Sequence, residues 1–442
     1  MRRSMLMIAM GTALAASAFQ APAAMQQPEV GASAARSDAR TVVSEVRRII
    51  AERYVLPARR PVLDAVLAEG LSSGRYAVTD PTVLAERINA DLVRVGRDKH
   101  LGFRYDPRQA EIMRAAQNQA APDPSAMQRQ VRTRNHGVAE LRMLAGNIRY
   151  MDYRGFDWIG PESQAALNAA LQFLSGGEAV IIDLRRNGGG NPTAVRHLIS
   201  HFLEADKPLM TFYMNGSATP DTSATLKDLE VPRMIGKPLY VLTSGNTASA
   251  AEEFTGHVGG YRLGELVGET TAGAGFRVSL VPIGDFILGV SVGRSILAST
   301  GKDWEAIGIA PTIRTPVTGA VDVAHSHALR RLASTASGQD RARFEALADA
   351  LAARQERRAT ALPLTAYAGN YGERTIVVEG ERLIYQRGTG PREALVPVGG
   401  NRFALESDPA TAVEFAGSGA RLAALLLGPA GGPMQTRFER TQ

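Results

Sequence analysis

Pro238-Leu239-Tyr240-Val241-Leu242-Thr243-Ser244-Gly245-Asn246-Thr247-Ala248-Ser249-Ala250-Ala251-Glu252-Glu253-Phe254 is the stretch on which the fold turns. Pro238 to Leu242 is an apolar run that reads as a buried strand, and the residues after Ser249 have helical composition. A turn of small residues therefore joins strand to helix. Such a turn presents a hydroxyl beside the free N–H groups of a helix start, where negative charge is favoured, and an acyl-transfer nucleophile requires that setting. Ser249 is the candidate nucleophile. Ser249-Ala250-Ala251-Glu252 also fits the S-x-x-E capping box, in which the serine satisfies orphan amides and does no chemistry.

Outward from this stretch, strands alternate with helices. Leu141 to Tyr153 reads as two strands around the turn-forming Gly146-Asn147, Pro161 to Leu174 as a helix, Ala179 to Leu184 as a continuous apolar strand, and Pro192 to Leu203 as a second helix. Leu263 to Val267 continues the alternation, and Val278 to Val292, broken at Gly284-Asp285, reads as an appended hairpin. Such alternation implies crossover units and a largely parallel sheet, hence an α/β core.

The 442 residues suggest two or three domains, and a hydrophobic content of 45% supports globular cores. Residues 1–24 carry the basic start Met1-Arg2-Arg3, the apolar run Met5 to Ala18 and small residues for cleavage, the pattern of a secretory signal peptide. Export to the periplasm or beyond is the expectation. The apolar run is shorter than a membrane-spanning helix needs, so no integral membrane segment is expected after cleavage. Residues 25–37 read as a mobile tail, 38–106 as an N-terminal helical domain, 107–140 as a linker, 141–318 as the core, 319–362 as a helical linker and 363–442 as a separate all-β module, a small barrel or sandwich.

The chain has no cysteine, which removes disulfides, a lipid-attached cysteine and a thiol nucleophile. Its formal charge of +6 falls to +4 once Arg2 and Arg3 leave with the signal peptide; the remaining excess is spread out, and no nucleic-acid site is read from it. Among seven histidines, His197 and His201 have helical i,i+4 spacing but no acidic third ligand nearby, so they read as surface residues and no metal site is expected.

A nucleophilic serine needs a base and oxyanion donors. His257 stands eight residues along the helix from Ser249, roughly 12 Å at 1.5 Å per residue, too far to serve. His136, His325 and His327 lie in polar or linker-like segments. His100 sits where a helix gives way to a strand, a place for a positioned side chain or for a plain turn histidine. Asp183-Leu184-Arg185-Arg186-Asn187-Gly188-Gly189-Gly190, at the C-terminal end of a central strand, lets the backbone approach a ligand at the edge where open parallel sheets bind. It lacks both G-x-G-x-x-G and a G-K-[ST] ending, so no nucleotide cofactor is expected.

Three motifs in order, Asp183 to Gly190, Thr247 to Glu252 and Val267-Gly268-Glu269-Thr270-Thr271-Ala272-Gly273, resemble those of the tail-specific (C-terminal processing) serine peptidase superfamily. The resemblance covers about residues 38–315 and implies a crotonase/ClpP-like ββα core. The serine–lysine branch carries a lysine where this chain has Ala274 and a glutamine where it has Val278, and its PDZ module does not fit into 107–140. The chain is instead similar to the branch of interphotoreceptor retinoid-binding protein and the tricorn core. That resemblance implies His100 as base and Glu305, in Trp304-Glu305-Ala306-Ile307-Gly308, as third member. It also implies an oxyanion hole from Ala250 and from Gly189 or its neighbours Gly188 and Gly190, the latter two otherwise lining the substrate. The expected activity is hydrolysis of peptides or unfolded proteins, without a cofactor. A non-catalytic protein that binds an apolar ligand or peptide on the same fold is the alternative; oligomeric state is not readable.

Overall fold

The computed structural model describes residues 38–118, 124–356, 358–418 and 421–441. The expected signal peptide at 1–24 and tail at 25–37 lie outside the described residues. The central sheet has six strands, in the order Ile313–Arg314, Glu265–Gly268, Leu239–Thr243, Ala179–Asp183, Ile148–Tyr153 and Val138–Leu144. Every neighbouring pair is parallel except the last, which is the hairpin around Gly146 and Asn147. The parallel reading thus holds, and its physical cause is visible in Ala179–Asp183, buried along its whole length. Strand side chains alternate between faces. Val180 and Ile182 point with Met151 and Val241 into one core, against the helices Pro161–Ser175, Pro192–Ile199 and Ala250–Gly260. Ala179 and Ile181 point with Tyr150, Tyr240 and Leu242 into another.

That second core corrects one boundary. The segment read as a helical linker forms two helices, Ala320–Thr335 and Gly338–Gln355, whose Ala324, Ala328, Leu329, Leu347 and Leu351 cover the second face of the central sheet. A parallel sheet with two apolar faces needs a layer on each, and this hairpin is the outer layer of the core rather than a connector.

The N-terminal helices Ala39–Arg53, Arg60–Ser72 and Pro81–Gly96 form where expected. Pro81 takes the first helical position, and the Asp80 carboxylate accepts from Thr82 N at 2.8 Å, capping the third helix. They do not make a core of their own. Val46, Ile49, Leu67, Ile88 and Leu92 pack on Phe103, Phe286, Leu288 and Val290, the face of a second sheet. This antiparallel sheet runs Gly102–Tyr105, Phe286–Leu297, Pro208–Met214, Asp221–Ala224, with Arg277–Ile283 also paired to Phe286–Leu297. The expected hairpin is present, flanked by the strand after His100 and by Pro208–Met214, which with its own neighbour Asp221–Ala224 was not read from the sequence. Residues 107–140, expected as a linker, hold the helices Pro107–Asn118 and Pro124–Thr133.

Eight antiparallel strands follow in chain order from Gly369–Tyr371 to Thr436–Glu439. A bridge between Tyr371 and Arg440, and Thr441 N donating to Asn370 O at 2.8 Å, bring the first and last strands together into a near-closed barrel. Tyr367, Phe403 and Phe415 fill it with edge-to-face ring contacts of 5.0–5.5 Å. The predicted small all-β module is this barrel. Ala430 joins the core beneath the helical hairpin, so the barrel is anchored to the central layers.

Candidate active site

Ser249 ends the turn between the strand Leu239–Thr243 and the helix Ala250–Gly260. Its φ of 54° and ψ of −119° lie outside the regions a serine ordinarily occupies. Such strain costs on the order of 1–3 kcal/mol and persists only where the surroundings over-determine it. They do so here. Thr247 Oγ1 donates to Leu184 O at 2.8 Å, Ser244 Oγ to Arg185 O at 2.7 Å, and Ala248 N to Asn187 O at 3.1 Å, tying the turn to the glycine loop.

The capping-box pair of Ser249 and Glu252 is also present, with Ser249 N donating to Glu252 Oε2 at 3.0 Å. Glu252 is fully buried and receives Thr271 Oγ1 at 2.6 Å, Gly273 N at 2.7 Å and Ala274 N at 2.8 Å. Burial pushes its carboxyl up, against these donors, which pull it down. The capping glutamate therefore fastens the 271–274 loop beside the serine, a role the capping pattern alone did not disclose.

The glycine loop comes up against the serine. A Cβ on Gly189, at φ 108°, would stand 2.8 Å from Ser249 Cβ and from Ala248 O, so only glycine fits. Yet Gly189 N already donates to Asn187 Oδ1 at 2.9 Å, and Asn187 is itself buried. Gly190 and Ala250, by contrast, line the same pocket as Ser249, and among the described residues neither N–H has an intramolecular partner. Gly188 has open space beside it.

His100 and Ser249 line one pocket of about 90 Å³, together with Pro192, Phe212, Phe276 and Trp304. The Asp98 carboxylate fixes the His100 turn by accepting from His100 N at 2.8 Å and Leu101 N at 3.2 Å. His100 Nδ1 faces Glu305 Oε2 at 3.7 Å and has no hydrogen-bond partner among the described residues. Glu305 is held by Lys99 N at 2.8 Å, Gly275 N at 2.6 Å and Phe276 N at 2.9 Å. Burial pushes the Glu305 carboxyl up, but the facing imidazole and these backbone donors outweigh it and hold it below the ordinary glutamate value. A carboxylate kept ionised next to an imidazole favours the imidazolium form that a general base passes through. Asp98 goes the other way: burial, with the charge of Glu305 adding to it, pushes its carboxyl up.

Residues 146–315 match the model of Peptidase family S41, and residues 31–136 that of the N-terminal domain of Peptidase_S41 in eukaryotic IRBP. The chain belongs to peptidase family S41. This S41 chain is 28% identical over 139 residues to the carboxy-terminal processing protease CtpB of Bacillus subtilis (strain 168), a match covering 31% of this chain and 27% of that relative. The S41 chain thus spans about a quarter of the length of the curated relative it matches. Among solved structures, the photosystem II D1 C-terminal processing protease aligns with 16% identity and a TM-score of 0.42, over 64% of this chain and 94% of that one. Mature CPAF aligns with 13% identity and a TM-score of 0.46, over 66% and 96%.

The other histidines of the S41 chain sort differently from their sequence reading. His197 and His201 are buried, 4% and 0% exposed, not at the surface. His197 Nε2 bonds Asn168 Oδ1 at 2.7 Å and His201 Nδ1 bonds His197 O at 3.0 Å, both structural uses. His197 is among the buried residues of Pro192–Ile199, with Ala194, Val195, Leu198 and Ile199, and His201 is buried just after that helix. Asp98, His100 and Glu305 are the grouping whose donor atoms come within 4.8 Å of one another among the described residues. Three backbone amides already occupy the Glu305 oxygens, which suits a positioned carboxylate more than a metal ligand. Arg185, part of the glycine-loop motif, pairs with buried Asp183 at 2.6 Å and so braces the loop.

Proposed function

We propose that this chain is an exported serine peptidase in which Ser249, His100 and Glu305 cooperate through an acyl-enzyme. The observation that carries it is Ser249 held in a strained strand-to-helix turn, sharing one pocket with an imidazole whose Nδ1 faces a buried carboxylate. In this mechanism Ser249 Oγ attacks the peptide carbonyl and its proton passes to His100 Nε2, the ring nitrogen turned from Glu305. Glu305 orients the ring and offsets its positive charge. His100 then returns the proton to the leaving amine, and water repeats the cycle on the ester.

The Ala250 N–H, at the helix start, holds one side of the oxyanion. For the other donor, Gly190 is better supported than Gly189, whose N–H is spent on Asn187. Loss of such a donor costs on the order of 10²–10³ in rate. The strand–helix–strand crossovers from 148 to 268 accord with the crotonase/ClpP-like core expected from the sequence. The apolar ligand-binding alternative gains no observation of its own, since Phe212 and Trp304 wall the pocket that contains Ser249. Among the described residues no helix is long and apolar enough to cross a membrane.

The test is Ser249→Ala. It keeps the unfolding transition of the parent protein and abolishes both peptide hydrolysis and labelling by a serine-directed phosphonate. Undiminished labelling of that variant would sink the proposal.

A further inference from the structure

Glu253 stands four residues after Ser249, so the two share a face of the helix Ala250–Gly260, about 6 Å apart along its axis at 1.5 Å per residue. It is 7% exposed, and it lines the pocket that holds Ser249 and His100. Among the described residues the one basic group within 4.0 Å of its carboxylate is His257, whose Nε2 is 3.8 Å from Glu253 Oε1. That distance is no hydrogen bond, and both ring nitrogens of the fully buried His257 lack partners. The pocket thus contains a nearly buried carboxylate that no hydrogen bond from the described residues completes. Neither the capping box, which uses Glu252, nor the Ser249 chemistry calls on it.

The rest of the pocket decides what would complete it. Phe212, Phe276 and Trp304 give it apolar walls. The other charged side chain there is Arg277, half-buried, with its guanidinium 4.7 Å from the centroid of the Phe212 ring. Solvent reaches Arg277 and screens its charge, whereas Glu253 acts over a short range in a low dielectric. A buried carboxylate without a partner is costly, and a ligand cation that pairs with it recovers that cost. The 6 Å step along the helix matches the reach of an extended lysine or arginine side chain carried by the residue whose carbonyl meets Ser249. Aliphatic stems of such side chains also suit the aromatic walls.

We propose that Glu253 is a specificity-determining residue that receives a basic side chain, Lys or Arg, on the acyl side of the scissile bond. The inference rests on the peptidase reading of the same pocket. It is tested with internally quenched peptides identical except for Lys, Arg, Gln, Leu or Glu at the residue preceding the cleaved bond. The wild-type protein cleaves the Lys and Arg peptides with kcat/KM roughly 10²-fold above the Gln peptide. In Glu253→Gln that ratio collapses toward one. Glu253→Asp, which keeps the charge but draws it back, moves the preference from Lys toward the longer Arg. A flat series, a preference for Leu or Glu, or a Lys preference that survives Glu253→Gln overturns the proposal. If no peptide is cleaved and the phosphonate leaves Ser249 unlabelled, the peptidase reading has failed instead. Binding then judges Glu253: fluorescence anisotropy of the Lys and Gln peptides on Ser249→Ala gives tighter Lys binding if Glu253 acts as stated, and equal affinities overturn it.

Discussion

Glu305 takes three backbone N–H donors from two different segments, Lys99 on one side and Gly275 with Phe276 on the other, and so arrives beside His100 already rigid. The neutral isostere Glu305→Gln keeps the shape but removes the charge that stabilises an imidazolium. Its expected effect is a fall in kcat of roughly 10²–10⁴-fold with a small change in KM, read from steady-state kinetics on a cleaved peptide. An equal loss in a variant that left kcat intact and raised only KM would place Glu305 in substrate binding. Ser249 illustrates the same economy. The serine–glutamate capping pair and the proposed nucleophile are one geometry, because Glu252 fixes the N–H of Ser249 while its other contacts build the loop that carries Gly273 and Ala274.

At the level of elements, the helix Pro192–Ile199 and the residues after it carry a buried imidazole with a pH signature. Burial pushes the pKa of His201 down to about 4 from an ordinary 6.5. The folded state therefore holds His201 neutral while the unfolded chain takes up a proton below about 6.5, so stability is lost as pH falls from about 6.5 toward 4. One such group amounts to roughly 2–3 kcal/mol across that window. Urea midpoints at pH 7 and pH 4.5 should differ less in His201→Gln than in the parent, and an unaltered difference would assign the acid sensitivity elsewhere. The buried Asp183 adds to it at lower pH. Burial raises its carboxyl, but Arg185 and Tyr150 more than offset that and hold it below the ordinary value, so its contribution is present above the ordinary aspartate range and lost as pH falls through its folded-state pKa.

For the whole molecule, the central sheet is stable only because both faces are covered, one by the crossover helices and one by the hairpin of Ala320–Thr335 and Gly338–Gln355. Leu347 is fully buried in that outer layer. Leu347→Ala is expected to lose about 2–5 kcal/mol, measured by chemical denaturation, although the residue lies outside the region matched by the S41 model. A loss under about 0.5 kcal/mol would mean that the hairpin does not brace the sheet. The parts of the proposed site come from equally distant places: His100 from the entry to the second sheet, Ser249 and the glycine loop from the strand ends of the central sheet, and Glu305 from the loop after the long strand Phe286–Leu297.

Much of this was legible in the residues. The apolar run before Thr243, the small residues up to Ser249 and the glycines after Asn187 are local signals, because hydrophobic periodicity and permissive turn residues act within a few positions of the chain. They determined the parallel core, the serine turn, the glycine loop and the all-β character of the C-terminal module. What the tertiary structure alone decided is non-local. It spent the Gly189 N–H on Asn187 and left Gly190 open to the pocket, buried His197 and His201, which the want of an acidic third ligand had led to a surface reading, and turned a supposed linker into the second layer of the sheet. Among the described residues it also left the Glu253 carboxylate without a hydrogen-bond partner beside Ser249. In each case a group was satisfied, buried or stranded by neighbours far away in sequence, and hydrogen bonding and desolvation depend on which atoms meet in space, which no local pattern encodes.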